Sequence, residues 1–210
     1  EYYKELVSYD HGFVMPELPE EADTEVTKQK KMNVVVLMDA SGSMKQKVTG
    51  GVKMDLAKET IGKFMEQIPA EAQVSLLAYG HLGTGKDSDK AMSCAGVEAV
   101  YPLGEYNQEP FKESLNSFAA SGWTPLAGGI EKVATMLQSY NTEEYYNMVY
   151  IVSDGIETCD GDPVAAAKRL QDENIKAKVN IIGFDVDDKG QQQLKKVADA
   201  GAGEYVTVQN

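Results

Sequence analysis

The chain has 210 residues, enough for one large domain or for one domain with an arm. It is 42% hydrophobic, so a substantial core can form, and 33 acidic against 20 basic residues leave a net charge of −13. That balance argues against nucleic acid as a partner, because phosphates demand clustered Lys and Arg. The plain reading of the acidity is a solvated surface. No stretch approaches the about 20 apolar residues that span a bilayer. Cys94 and Cys159 are the two cysteines, too few for a disulfide scaffold or a structural zinc site. The sequence starts at Glu1 rather than Met, which leaves room for a leader removed earlier.

Residues 1–31 are polar, acid-rich and without clear period. MPELPEEADTE carries two prolines that break any helix, so the segment reads as an arm, with a helical turn or two at YYKELV. From Met32 onward, over 32–210, the pattern becomes that of a domain. MNVVVLMD is short, continuous and β-branched, as a buried strand is. A loop follows through Gly50 and Gly51. Ala57, Ile61, Phe64, Met65 and Ile68 then recur at helical spacing. QVSLLAYG is a second strand, and a polar, glycine-rich loop runs from it to about Gly96. GVEAVYPLG reads as a short edge strand, since its Pro suits an edge better than a sheet centre. Phe111, Leu115 and Phe118 mark a helix; Leu126, Ile130, Val133 and Leu137 mark another, starting at Pro125. NMVYIVSD is a third apolar strand. DPVAAAKRLQDEN is a helix with Pro163 at its first position. KVNIIGFDV, QQQLKKVADA and GEYVTVQ close the series as strand, helix and strand.

Strands alternate with helices, and three strands are apolar throughout. Both sheet faces are therefore covered, which predicts an α/β fold, doubly wound, with a mostly parallel sheet and helices on both sides. Ligands of such sheets bind beyond the carboxyl ends of the strands. The first strand ends in DASGS, with Asp39, Ser41 and Ser43. The third apolar strand ends in Ser153, Asp154 and Gly155. SGWTPLAGG presents Thr124 just before a helix. These are all oxygen donors, the ligand type that hard cations such as Mg²⁺ take. In a loop curving round an ion every second side chain can point inward, and Gly42 tolerates the unusual backbone. Each piece also has an ordinary reading. Ser-Gly-Ser is common loop chemistry, Asp154-Gly155 suits a turn, and Thr124 before Pro125 suits a helix cap.

Together these segments resemble the von Willebrand factor A (vWA) domain and its metal-ion-dependent adhesion site (MIDAS), built from D-x-S-x-S, a distant Thr and a distant Asp. Asp39, Ser41, Ser43, Thr124 in GWTPL and Asp154 in VSDG match those positions over roughly residues 32–208. GWTPLAGGI and IVSDGIETCDGDP look most like the bacterial secreted members. The resemblance implies a Rossmann-like six-stranded sheet with one short antiparallel edge strand. It implies a metal site for Mg²⁺, with Mn²⁺ or Ca²⁺ as substitutes, and a protein partner that presents an acidic residue to the ion. It also implies an extracellular or envelope-associated module rather than an enzyme. With the family's strand order, Cys94 and Cys159 both face the carboxyl edge. A bridge is then expected in an exported protein, against two free thiols in a reducing cytosol. A typical member ends with a helix after its last strand. Here GEYVTVQ is followed only by Asn210, so either the chain continues in a longer protein or the arm covers the face left open.

Lys45, Lys47 and Lys53 lie in KQKVTGGVKMD beside the expected ion, either to welcome an acidic partner or as a solvated basic loop. GHLGTGKD, residues 80–87, fits the start of a phosphate loop, but Asp87 stands where Ser or Thr is needed. DVDDKG, residues 185–190, lacks the Glu that ends a calcium loop. His11 and His81 show no acid or serine partner in the sequence. The competing function is a metal-assisted hydrolase, phosphatase- or esterase-like, using the same ion.

Overall fold

The β-branched run that opens the domain forms β1 (Lys31–Asp39), and Val34 through Met38 are fully buried. A short hairpin, β2 (Lys47–Val48) with β3 (Gly51–Val52), leads into α1 (Lys53–Met65). There follow β4 (Gln73–Tyr79), α2 (Lys90–Ala95), β5 (Val97–Glu105), α3 (Gln108–Asn116) and α4 (Leu126–Leu137). The chain continues through β6 (Tyr145–Ser153), α5 (Pro163–Arg169), β7 (Lys178–Phe184), α6 (Asp188–Ala200) and β8 (Tyr205–Val208). This computed structural model describes residues 30–208, Glu173 excepted. The expected arm, including the turns at YYKELV, lies outside the described residues apart from Lys30 and Lys31.

Six strands form one sheet in the order β5-β4-β1-β6-β7-β8. All neighbours are parallel except β4 and β5. The expected antiparallel edge strand is therefore β5. It spans nine residues and carries register shifts between Val74 and Leu77 of its partner. Pro102 sits within it, at the sheet margin where a missing N–H is tolerated.

Alternation along β1 divides the core. Val34, Val36 and Met38 face α1 and α3, where they meet Ala57, Ile61, Phe64, Met65, Phe111 and Leu115. Val35 and Leu37 face the other way, onto Ile130, Val133 and Leu137 of α4, with Ala166 and Ala167 of α5 and Leu194 and Val197 of α6 on the same side. Each fully buried aliphatic side chain stabilises by about 1.5–3 kcal/mol, and helices pack on both faces of the sheet. Register at the amino ends of β1 and β6 is pinned by polar contacts. Asn33 faces Asn147 and donates to its Oδ1 at 2.9 Å, while Asn147 Nδ2 donates to the carbonyls of Tyr140 and Ile175.

From β1 the chain crosses one face through α1 to β4; from β6 it crosses the opposite face through α5 to β7. The connections leaving β1 and β6 diverge, so their carboxyl ends bound the crevice where open α/β sheets bind ligands. Asp39 ends β1 and Asp154 follows β6.

Two local readings change. The expected loop before Gly96 contains α2, a helix too short to show a hydrophobic period. Thr124 is not the cap of α4 either: Pro125 holds that position, outside the helix. The amide that a Thr124 cap would serve, that of Ala127, is bonded by Glu157 Oε2 at 2.7 Å. That carboxylate reaches over from the loop after β6, a partner no local pattern reveals.

Candidate metal centre at the carboxyl edge

Three loops meet above β1. Ala40 N donates to Tyr79 O, Gly42 N to Gly122 O, Ser121 N to Ala40 O, and Gly122 N to Gly80 O, at 2.7–2.8 Å. Ser41 and Gly122 form an isolated parallel bridge. The approach is so close that residue 80 must be glycine. Its φ is +75°, and a Cβ there would lie 2.6 Å from the Trp123 carbonyl oxygen and 2.8 Å from Ser41 N.

Asp39, Ser41, Ser43 and Asp154 are linked by a chain of oxygen contacts. Asp39 Oδ1 accepts from Ser41 N at 2.7 Å. The hydroxyls of Ser41 and Ser43 are 3.0 Å apart, and Ser43 Oγ donates to Asp154 Oδ1 at 2.7 Å. Thr124 follows two residues after Gly122, which is bonded to the Ser41 loop. It is buried on the same zipped loop, its amide donating to Thr158 Oγ1 while Thr158 N donates to Thr124 O. The loop after β6 is fastened again where Glu157 Oε1 accepts from Cys159 N. Cys159 is bridged to Cys94 of α2, with the Cα atoms 5.6 Å apart.

Asp39 is 0% exposed. Burial, then the charge of nearby Asp154, pushes its carboxyl up to about 6, against the opposing pull of hydrogen bonds from Ser153 and Ser41. Ser153 Oγ donates to Asp39 Oδ2 at 2.6 Å. Tyr79, the register partner of Asp39 on β4, is also fully buried, and its hydroxyl makes no hydrogen bond of ordinary geometry among the described residues. Burial and the Asp39 charge hold that phenol well above its ordinary range. No ion pair among the described residues reaches Asp39.

This donor set fits a hard dication. Oxygens at adjacent corners of an octahedral shell of radius 2.0–2.1 Å lie about 3 Å apart, the separation of the two serine hydroxyls. A buried, cation-free carboxylate beside a second one is the electrostatic counterpart of the same fit. The described residues contain no group of three or more His, Cys, Asp or Glu side chains that would hold a metal; with two carboxylates and three hydroxyls, the site is of a different composition.

A sequence model of the von Willebrand factor type A domain matches residues 33–210. The chain belongs to the von Willebrand factor type A family. It is 41% identical over 180 residues to the uncharacterised protein YwmD of Bacillus subtilis strain 168, covering 86% of this chain and 80% of that one. It is 38% identical to YwmC of the same organism, covering 87% and 79%. Among solved structures, a von Willebrand factor type A protein from Catenulispora acidiphila superposes with a TM-score of 0.67 at 18% identity, over 86% of this chain and 39% of that one. The pilus adhesin SpaC of Lactobacillus rhamnosus GG gives 0.65 at 16%, over 85% and 28%. Proximal thread matrix protein 1 of the mussel byssus, solved with a zinc-occupied MIDAS motif, gives 0.62 at 16%, over 86% and 42%. This chain thus spans less than half of each of those solved chains, and the likeness to them is one of fold. Domains of this family are typically adhesion or protein-interaction modules and often bind a divalent metal at the MIDAS.

Three side-chain contacts near this edge were not legible in the sequence. Ser153 continues the Val149, Ile151 alternation on β6 and so shares a sheet face with Asp39; register was the missing signal. Lys53, read either as welcoming an acidic partner or as part of a solvated basic loop, is 3% exposed and bonded to Asp154. His81, which has no acid partner in its own stretch of sequence, lies with Nε2 2.9 Å from Glu98 Oε2, because β5 runs back along β4. Sequence distance hid all three. The 80–87 loop forms no phosphate cradle: α2 begins only at Lys90, and Asp89 accepts from Thr84 N and Oγ1.

Proposed function

We propose that this chain is a metal-dependent, adhesion-type protein-binding module whose ligands to the ion are Asp39, Ser41, Ser43, Thr124 and Asp154. The observation that carries this reading is the linked oxygen set round a fully buried Asp39 that has no cationic partner among the described residues. A bound divalent ion, Mg²⁺ with Mn²⁺ or Ca²⁺ as substitutes, supplies a Lewis-acidic corner that accepts a carboxylate from a protein partner. The chain's own residues do the rest. Ser41, Ser43 and Thr124 offer neutral hydroxyls, so of the five groups only the two carboxylates offset an ion's charge. Asp39 is aimed by Ser41 N and Ser153 Oγ. Thr124 is carried to the site by a loop fixed at Gly122, Thr158 and Glu157. The Cys94–Cys159 bridge supports an oxidising, extracellular or envelope location, as does the fold likeness to a pilus adhesin. No helix among the described residues is long and apolar enough to cross a membrane.

The competing reading is hydrolysis assisted by the same ion, which needs no side-chain nucleophile; among the described residues His81 pairs with Glu98 rather than with a hydroxyl or thiol. The test is calorimetric titration with Mg²⁺ and Mn²⁺, then capture of envelope proteins in Mg²⁺ and again in EDTA. Asp39→Ala and Ser41→Ala are expected to lose metal heat and Mg²⁺-dependent capture together. A variant that retains both would show the site to be misassigned, and turnover in a phosphatase or esterase screen would favour the hydrolase.

A further inference from the structure

Lys53 occupies a place that two physical rules disfavour. Lysine is among the residues least often fully buried, and the first turn of a helix carries positive charge from its unpaired N–H groups. Yet Lys53 opens α1 and is 3% exposed. Its fixation is thorough. Its amide donates to Gln46 O at 3.0 Å, which closes the β2–β3 hairpin. Its ammonium donates to Gln46 Oε1 at 2.9 Å, Asp154 Oδ2 at 3.0 Å and Asp185 O at 3.3 Å, and lies 3.6 Å from Asp185 Oδ2. Asp185 is about half exposed, so solvent screens its charge. The side chain of Asp154 is fully buried, and Lys53 is its ion-pair partner.

Asp154 is therefore divided. Oδ1 turns to the Ser43 hydroxyl and the candidate centre; Oδ2 is held by Lys53. We propose that Lys53 is a resident counter-cation of the metal centre, which lowers its affinity for the dication and leaves the loaded centre with a net positive charge that favours an anionic partner group. This rests on the metal-binding reading above. The charge sum is direct. Asp39 and Asp154 alone would neutralise a dication; with Lys53 in place the loaded centre keeps about one positive charge. Lys45 and Lys47, on the exposed side of the same loop, have no such contact with Asp154 and do not share the role.

The test compares the parent with Lys53→Met, Lys53→Gln and Gln46→Leu by Mn²⁺ calorimetry, with thermal melts in EDTA and in Mn²⁺. Removing one fixed positive charge near a dication is expected to tighten Mn²⁺ binding by about tenfold or more in both Lys53 variants. Gln46→Leu keeps the charge and should stay within about threefold of the parent. In the Mn²⁺-loaded proteins, acetate, a carboxylate probe, should displace metal-bound water, read by proton relaxation, at lower concentration in the parent than in Lys53→Met. Parent and variants binding Mn²⁺ equally would overturn the role of Lys53 and leave the metal site standing. No Mn²⁺ binding by any of the proteins would remove the metal reading and this one with it. Binding by the Lys53 variants alone would support the proposal in its strongest form. If a Lys53 variant melts early in EDTA, recovery in Mn²⁺ supports the proposal, and failure to recover makes Lys53 purely structural.

Discussion

Replacing Asp39 by Asn separates the cost of the buried charge from its use. In the metal-free protein Asp39 is raised from an ordinary 3.8 to about 6 by burial and by Asp154. A carboxyl whose pKa rises on folding holds more protons folded than unfolded, so its contribution to stability is present below about pH 4 and lost as pH rises to about 6. The gap of about two pH units corresponds to about 3 kcal/mol at neutral pH. Asn fits the same space. Its oxygen can accept from Ser41 N and its amide can donate to Ser153 Oγ, so the lost acceptor costs about 1 kcal/mol. In EDTA at neutral pH, Asp39→Asn should therefore be about 2 kcal/mol more stable than the parent, raising the Tm by about 4–8 °C for a chain of this length. Near pH 4 the difference should shrink towards zero. Millimolar Mg²⁺ should raise the parent's Tm and leave the variant's unchanged, because only the parent binds. Scanning calorimetry across pH, with and without Mg²⁺, measures all three. A variant less stable than the parent in EDTA at neutral pH would refute the reasoning: the Asp39 charge would then be compensated within the fold, and no electrostatic need for a cation would remain.

Gly80→Ala should lose about 2 kcal/mol or more and lower the Tm by about 4 °C or more, since φ is +75° and the new Cβ would meet two backbone atoms that cannot yield; an unchanged Tm would mean that the 41, 80 and 123 segments are not packed as described. Replacing Cys94 and Cys159 together by Ser should cost about 4 kcal/mol in urea unfolding, from the restored freedom of a loop spanning 65 residues. A loss below about 1 kcal/mol would count against that loop-entropy account.

Much of the fold was written locally. Uninterrupted apolar strands such as β1 can lie only between two layers of helices, so the doubly wound sheet followed from VVVLM and its counterparts. Asp39, Ser41, Ser43 and Asp154 were legible because strand ends in such sheets face one edge, and hydroxyls at alternate positions of one loop share a side. Thr124 was legible only as a pattern. Its ordinary reading as a helix cap fails because the Ala127 amide donates to Glu157, 30 residues further on. The same is true of α2, whose six residues are too few for a period.

What tertiary structure alone decided is where each charge sits. KQKVTGGVKMD reads as a hydrophilic loop with three equivalent lysines, and propensity cannot rank them. The β2–β3 hairpin turns one of the three inward onto Asp154. Register between β1 and β6 sets Ser153 beside Asp39, and the β4–β5 pair brings Glu98 to His81. Sequence carries the periodicities that make strands and helices, because those depend on neighbours a few residues away. The field at a buried carboxylate depends on every group within a few ångströms, and for Asp39 and Asp154 those groups come from loops spread over more than a hundred residues of chain.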